Sequence, residues 1–326
     1  MQGALHAVIS RFLLALLLSV ASIGIHAQTY PSKPIRVIVG LAAGGGTDII
    51  ARLVGQKLSE SLGQPVVVEN KPGTSGIIGA EYVARAQPDG YTLLMSPGGV
   101  FVINPIMNAK LPYSPVRDFA PVSMVVNFPL ILVVNASRPI KSVQELVEQI
   151  KAKPQSANYS APASAFQLAT ELFRIRTGTQ IEYIPYKGTN EAVNAVVSGD
   201  VMMTFADAGP ASGPIKGGKV KGLAVTAPTR MAAFPDIPTM AEGGFADMEI
   251  QFWMGLFAPA GTPPGIVRKL QGEIARVVKL PEIQERLINL SVNPVGGTSE
   301  ELSHTISTEI EKWAAVAKAS NIKPSN

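Results

Sequence analysis

Short runs of apolar, largely β-branched residues alternate along this chain with stretches of helical spacing. Ile35–Leu41, Val66–Val68, Tyr91–Met95, Leu130–Val134, Ile181–Ile184, Val201–Phe205 and Leu223–Thr226 read as strands. Several are apolar throughout, as a strand buried on both faces must be, and this predicts mainly parallel sheets flanked by helices. Between them, Ile50, Leu53, Val54, Leu58 and Leu62 fall on one helical face, and Leu146, Val147 and Ile150 on another. Near the C-terminus Thr298-Ser299-Glu300-Glu301 has the form of a capping box. It opens a helix whose Leu302, Ile306, Ile310, Trp313 and Ala317 make a continuous stripe. The fold class is therefore α/β.

The first residues depart from this pattern. Met1–Arg11 is short and weakly basic, Phe12–Ile25 is apolar without a polar face, and Ile25-His26-Ala27 ends in a small residue. The run is shorter than the ~20 apolar residues of a membrane span. We read residues 1–27 as a cleaved secretory signal, with a retained single-span anchor as the alternative, and expect the mature chain to begin near Gln28.

Composition narrows the function classes. The 326 residues are 46% hydrophobic and 16% charged, enough for one large domain or two ordinary ones. Gly 30 and Pro 26 fit the many short connections of an α/β fold. The formal charge is +4, and no Lys/Arg run exceeds two residues, so a nucleic-acid footprint is absent. Cys 0 leaves redox compartment undetermined.

Candidate chemistry begins at "GLAAGGGTDIIAR", Gly40 to Arg52, where a strand meets a helix. Gly40, Gly45 and Thr47 fit the spacing of a P-loop, but Gly46 stands where the phosphate-binding lysine belongs. A dinucleotide fingerprint fails too, since Gly44-x-Gly46 is followed by Ile49 in place of the third small residue. What remains is a row of N–H groups at a helix N-terminus, which favours a small anion, with Asp48 as the expected cap. The other reading is a tight turn that binds nothing. A second turn, Gly73-Thr74-Ser75-Gly76, follows Val66–Val68 and also opens a helix. Two such helix starts on adjacent strands suit one carboxylate.

The segments "AAGGGTDIIAR", "VVVENKPGTSGIIGAEYVARAQPDGYTLL", "YIPYKGTNEAVNAVVSGDVMMTF", "GLAVTAPTRMAAFPDIPTMAE" and "WMGLFAPAGTPPGIVRKL" resemble, in order and over essentially the whole mature chain, the Bug family. These are TctC-like periplasmic solute-binding receptors of tripartite tricarboxylate transporters. The resemblance implies a two-lobed periplasmic binding protein, type II-like, with two strands crossing between lobes. Lobe one would be 28–128 with 251–326 and lobe two 129–250, the crossings being Leu130–Val134 and Phe252–Phe257. It further implies an organic carboxylate held in the cleft by backbone N–H groups and waters, a membrane permease as partner, a monomer, and no cofactor.

Residue by residue, the resemblance points to Ala43, Gly44, Gly45, Thr47 and Asp48 in the first loop and Thr74, Ser75 and Gly76 in the second. From the far lobe it adds Ser164, Ala165 and Asp207. Ser96, opening Ser96-Pro97-Gly98-Gly99 after Tyr91–Met95, either forms a third wall or belongs to a loop that needs no ligand. The sequence departs from the family pattern at Gly40-Leu41-Ala42, where proline and phenylalanine are usual, at Gly46 in place of another common proline, and in "YSAPASAFQL". That last loop is short and carries Gln167 where histidine is common. The departures flank the cleft and leave the identity of the acid open.

Asp207 either meets an amine or hydroxyl of the ligand or caps a helix. Lys187 in "YKG" either offsets ligand charge or lies exposed beside a turn. His304, the only histidine after the leader, sits off its helix's apolar stripe and is expected in solvent. Without a nearby base, a G-x-S-x-G elbow or a Cys/His cluster, catalysis and a metal site are not expected. A sensor or scaffold on the same fold is the alternative to a transport receptor.

Overall fold

The computed structural model describes residues 30–324; the segment read as a signal, 1–27, lies outside the described residues. In chain order the elements are β1 (Ile35–Val39), α1 (Gly46–Leu62), β2 (Val66–Asn70), α2 (Ile77–Ala84), β3 (Thr92–Pro97), α3 (Gly99–Val102), α4 (Asn104–Met107) and β4 (Phe119–Asn135). There follow α5 (Val143–Ala152), β5 (Asn158–Ala161), α6 (Ser164–Thr177), β6 (Glu182–Pro185), α7 (Thr189–Ser198), β7 (Met203–Asp207), α8 (Ala208–Lys216) and β8 (Val220–Val225). The chain ends with β9 (Gln251–Pro259), α9 (Pro264–Val277), α10 (Pro281–Asn289), β10 (Asn293–Pro294) and α11 (Ser299–Ala319).

The strands pair in the order β2-β1-β3-β9-β4-β7-β5-β6, with β8 and β10 also on β4. The outer strands are parallel as expected: β1 lies between β2 and β3, and β5 between β6 and β7. The centre is antiparallel, β9 against β3 and β4, and β4 against β7, β8 and β10. These inner strands are also covered by helices on both faces. Their apolar runs therefore look like those of parallel strands, and hydropathy alone does not give their direction.

β4 changes partners along its length. Phe119 to Pro129 pair with β9, while Leu130 to Asn135 pair with β7 and β8. Only its second part was legible as a strand, because Pro121, Ser123, Asn127 and Pro129 break the apolar run of the first. Register shifts fall between Pro121 and Ser123 and between Met124 and Val126, as expected of a strand that carries proline and must bend. Where the two parts of the sheet meet, Thr226 ties the middle of β4 to the residue before β9. Its Oγ1 accepts from Leu130 N at 2.8 Å and donates to Ile250 O at 2.6 Å, and its carbonyl accepts from Ile250 N at 3.1 Å.

Packing explains the apolar strands. Ile35, Val37 and Val39 of β1 face α1, α9 and α10 through Ile50, Val54, Leu58, Leu270 and Ile283, whereas Ile38 faces the opposite layer. That layer includes Phe101, stacked on Phe257 at 3.8 Å, with Phe119 edge-on to it at 5.0 Å. The capping box is formed. Thr298 Oγ1 accepts from Glu301 N at 3.1 Å, and the Glu301 carboxylate accepts from Thr298 N at 2.7 Å. It starts α11, which buries Leu302, Ile306, Trp313 and Ala317 and leaves His304 exposed.

Candidate ligand cavity

A cavity of about 360 Å³ lies where the two parts of the sheet meet. Its walls come from the turn before α2 (Ser75), the β3–α3 junction (Pro97, Gly98, Gly99), Asn104 of α4, Phe128 of β4, the start of α6 (Ala163, Ser164, Ala165, Phe166), and Asp207 at the end of β7. Phe252 and Trp253 of β9 and Glu309 and Trp313 of α11 complete it. Local sequence explains the close approach of these pieces. A Cβ on Gly98 would lie 2.5 Å from the Trp253 indole, so glycine lets β3 run onto that ring, with Gly98 N donating to Trp253 O at 2.8 Å. Thr74 (φ 45°) and Ser75 (φ 53°) are both left-handed, a conformation costly for residues with a Cβ. The turn is held in part by Asn104, whose Nδ2 donates to Ser75 O at 3.1 Å.

The polar character of the cavity is uneven. The α6 ladder opens with Gln167 N donating to Ala163 O, so the N–H groups of Ser164, Ala165 and Phe166 precede it, at the positive end of a 14-residue helix. Asp207 sits at the N-cap of α8 without capping it. Its Oδ2 accepts from Thr189 Oγ1 at 3.1 Å, and its Oδ1 is buried with no hydrogen-bond partner. Burial pushes this carboxyl up to about 6, opposed in part by the Thr189 hydroxyl. Glu309 is likewise pushed up, by burial first, while the Trp253 Nε1–H bond at 3.0 Å and the Lys312 charge oppose it. No lysine or arginine is among the described residues of the wall.

Of the residues singled out in the sequence, Ser75, Ser164, Ala165 and Asp207 line the cavity together. Ala43, Gly44, Gly45, Thr47 and Asp48 do not; the first loop contributes Leu41 instead. The loop's polar groups turn inward. Gly44 N donates to Asp48 Oδ2 at 2.9 Å, Gly45 N to Ala42 O at 3.3 Å, and Asp48 pairs with Arg52 at 2.9 Å. That guanidinium is the main reason the Asp48 carboxyl is held below its ordinary range. Asp48 thus reaches back to the loop from inside α1, and Gly45 holds the N-cap position. Thr74 and Gly76 flank Ser75 without lining the wall, Ser96 is buried with its hydroxyl on Pro97 O, and Lys187 is exposed. A larger groove, about 840 Å³, opens beside Arg36, Tyr82 and Tyr91. Its charges are paired, Lys33 with Asp89, Arg36 with Glu69 and Arg85 with Glu81, and it gathers none of the residues named above.

Comparison with known proteins bears on what a cavity with a helix start and apolar walls does. The family model described as "Tripartite tricarboxylate transporter family receptor" matches residues 50–322. The chain belongs to this family. BugT of Bordetella pertussis is 36% identical over 302 residues, 92% of this chain and 93% of BugT. An R. palustris protein with adipate is 32% identical, TM-score 0.79, covering 91% of this chain and all of that one. MatC from Rhodopseudomonas palustris with bound malate is 30% identical, TM-score 0.74, covering 88% of this chain and 99% of its own. The tripartite tricarboxylate transporter receptors are binding proteins and not enzymes, and the α/β fold of the solved relatives is the one described here.

For a member of the tripartite tricarboxylate transporter receptor family, what the sequence reading missed is the apolar and acidic part of the wall: Phe128, Phe252, Trp253, Glu309 and Trp313. One signal was present. Glu309 stands four residues before Trp313, so helical spacing puts it on the same face as the apolar stripe. An acid there is unusual enough to mark a site.

Proposed function

We propose that this protein captures a small organic carboxylate in the cavity between two lobes and delivers it, as a periplasmic receptor, to the membrane permease of a tripartite tricarboxylate transporter. The observation that carries this reading is the start of α6. The N–H groups of Ser164, Ala165 and Phe166 lie outside the helical ladder, on residues that line one cavity with Ser75, Gly98 and Gly99, the materials of an anion site built from backbone. The relatives with adipate and malate support the ligand class. We assign Ser75, Ser164, Ala165 and Asp207 to the ligand, with Gly98, Gly99 and Asn104 beside them. The lobes are 28–128 with 251–326, and 129–250, closing about the cavity. Residues 1–27 direct export and are removed.

Thermal denaturation with a panel of carboxylates tests this. At about 100 Kd of ligand the linkage is ~2.7 kcal/mol, a rise of several degrees. At least one aliphatic, amino or aromatic acid raises Tm, and its amide or ester does not. A panel without effect, or amides as effective as acids, removes the anion site and leaves a scaffold role.

A further inference from the structure

Two carboxyl groups in one cavity, with no lysine or arginine among the residues that line it, are an odd equipment for receiving an anion; Lys312 acts on Glu309 from outside the wall. Asp207 has one oxygen on Thr189 Oγ1 and the other buried without a partner. Glu309 receives Trp253 Nε1 and has acceptor capacity to spare. Around them the wall is aromatic. Phe252 meets Phe128 edge-on at 6.0 Å and Phe166 edge-on at 5.1 Å, with Trp253 and Trp313 on the same cavity. A buried acceptor left unpaired costs free energy that a donor on the ligand recovers. A second carboxylate on the ligand, by contrast, would add negative charge beside Asp207 and Glu309 in surroundings of low dielectric.

We propose that the ligand is an amino acid with an apolar side chain, its carboxylate on the α6 N–H groups, its ammonium on Asp207 Oδ1 and its side chain against the Phe128–Phe252–Phe166 cluster. This rests on the carboxylate reading above and sharpens it, because that reading alone admits dicarboxylates, hydroxy acids and simple acids equally. The ammonium completes the coordination of Asp207 and neutralises it, so the bound pair brings no net charge into the cavity. Glu309 then acts by exclusion, repelling ligands that carry a second anion. At about 360 Å³ the cavity is at the small end of ligand sites, the size for one such molecule.

Calorimetry on the full mature chain with matched ligands tests the assignment. L-phenylalanine is compared with 3-phenylpropanoate, L-leucine with 4-methylpentanoate, and both pairs with succinate and adipate. One charge-assisted hydrogen bond predicts that at least one amino acid binds tenfold or more tighter than its deaminated partner and than either dicarboxylate. In Asp207→Asn, which keeps the side-chain shape, that ratio falls to within about threefold through a loss of affinity for the amino acid. Deaminated acids or dicarboxylates binding as tightly as the amino acids in the unmodified protein overturn this inference and leave the carboxylate reading standing. If none of the acids binds, both fall. The comparison in the unmodified protein decides the matter even where the variant fails to fold.

Discussion

Asp207 shows how a single buried side chain can be costly to a fold. Its carboxyl, at about 6 in the folded state against 3.8 in the open chain, binds its proton more tightly when folded. Stability from this group is therefore full below about pH 4, falls as pH rises through 6, and stays low above it. Asp207→Asn removes the penalty. Without ligand, the variant melts a few degrees above the parent at pH 7, and the gap closes towards pH 4. A variant that is no more stable than the parent at pH 7 contradicts the burial argument. Asp207 and Ser75 were legible because they sit in short motifs after strands. Glu309 was not, because its place in the cavity follows from how α11 docks; the Asp48 carboxylate bonds its own loop and Arg52, a pairing that spacing alone does not reveal.

At the scale of elements, α6 carries the argument, and its first residue allows a clean dissection. Ser164 is the first helical residue, preceded by Ala163 in extended conformation (φ −160°, ψ 163°), so proline fits there without strain. Ser164→Ala removes the hydroxyl and keeps the N–H; Ser164→Pro removes both. If backbone donors hold the carboxylate, the alanine variant loses less than about threefold in affinity and the proline variant about tenfold. Calorimetry reads the affinities, and circular dichroism checks that Tm moves little. Equal losses in the two variants would place the binding in the hydroxyl. The strand–helix alternation, the faces of α1 and α5 and the α11 capping box were all readable, since each is set by local spacing. The first part of β4 was not, because its prolines and polar residues obey long-range pairing with β9.

For the molecule as a whole, both tryptophans of the chain, Trp253 and Trp313, line the cavity. Its tryptophan emission is therefore a report on the cavity alone. A bound acid changes the intensity or position of that emission, in a titration with the same midpoint as calorimetry. Binding seen calorimetrically with no change in emission would locate the ligand elsewhere. The direction of the central strands lay beyond the sequence because it depends on where the chain returns over more than a hundred residues.

That return passes through Thr226, bonded at once to Leu130 and to Ile250. Phe128 and Phe252 each stand two residues from a partner of Thr226 and meet edge-on at 6.0 Å on the cavity wall. Shifting one of these rings against the other would strand an amide, a hydroxyl and a carbonyl away from water. The spacing that a solute must match is thereby held by a buried threonine and not by the loops around the cavity.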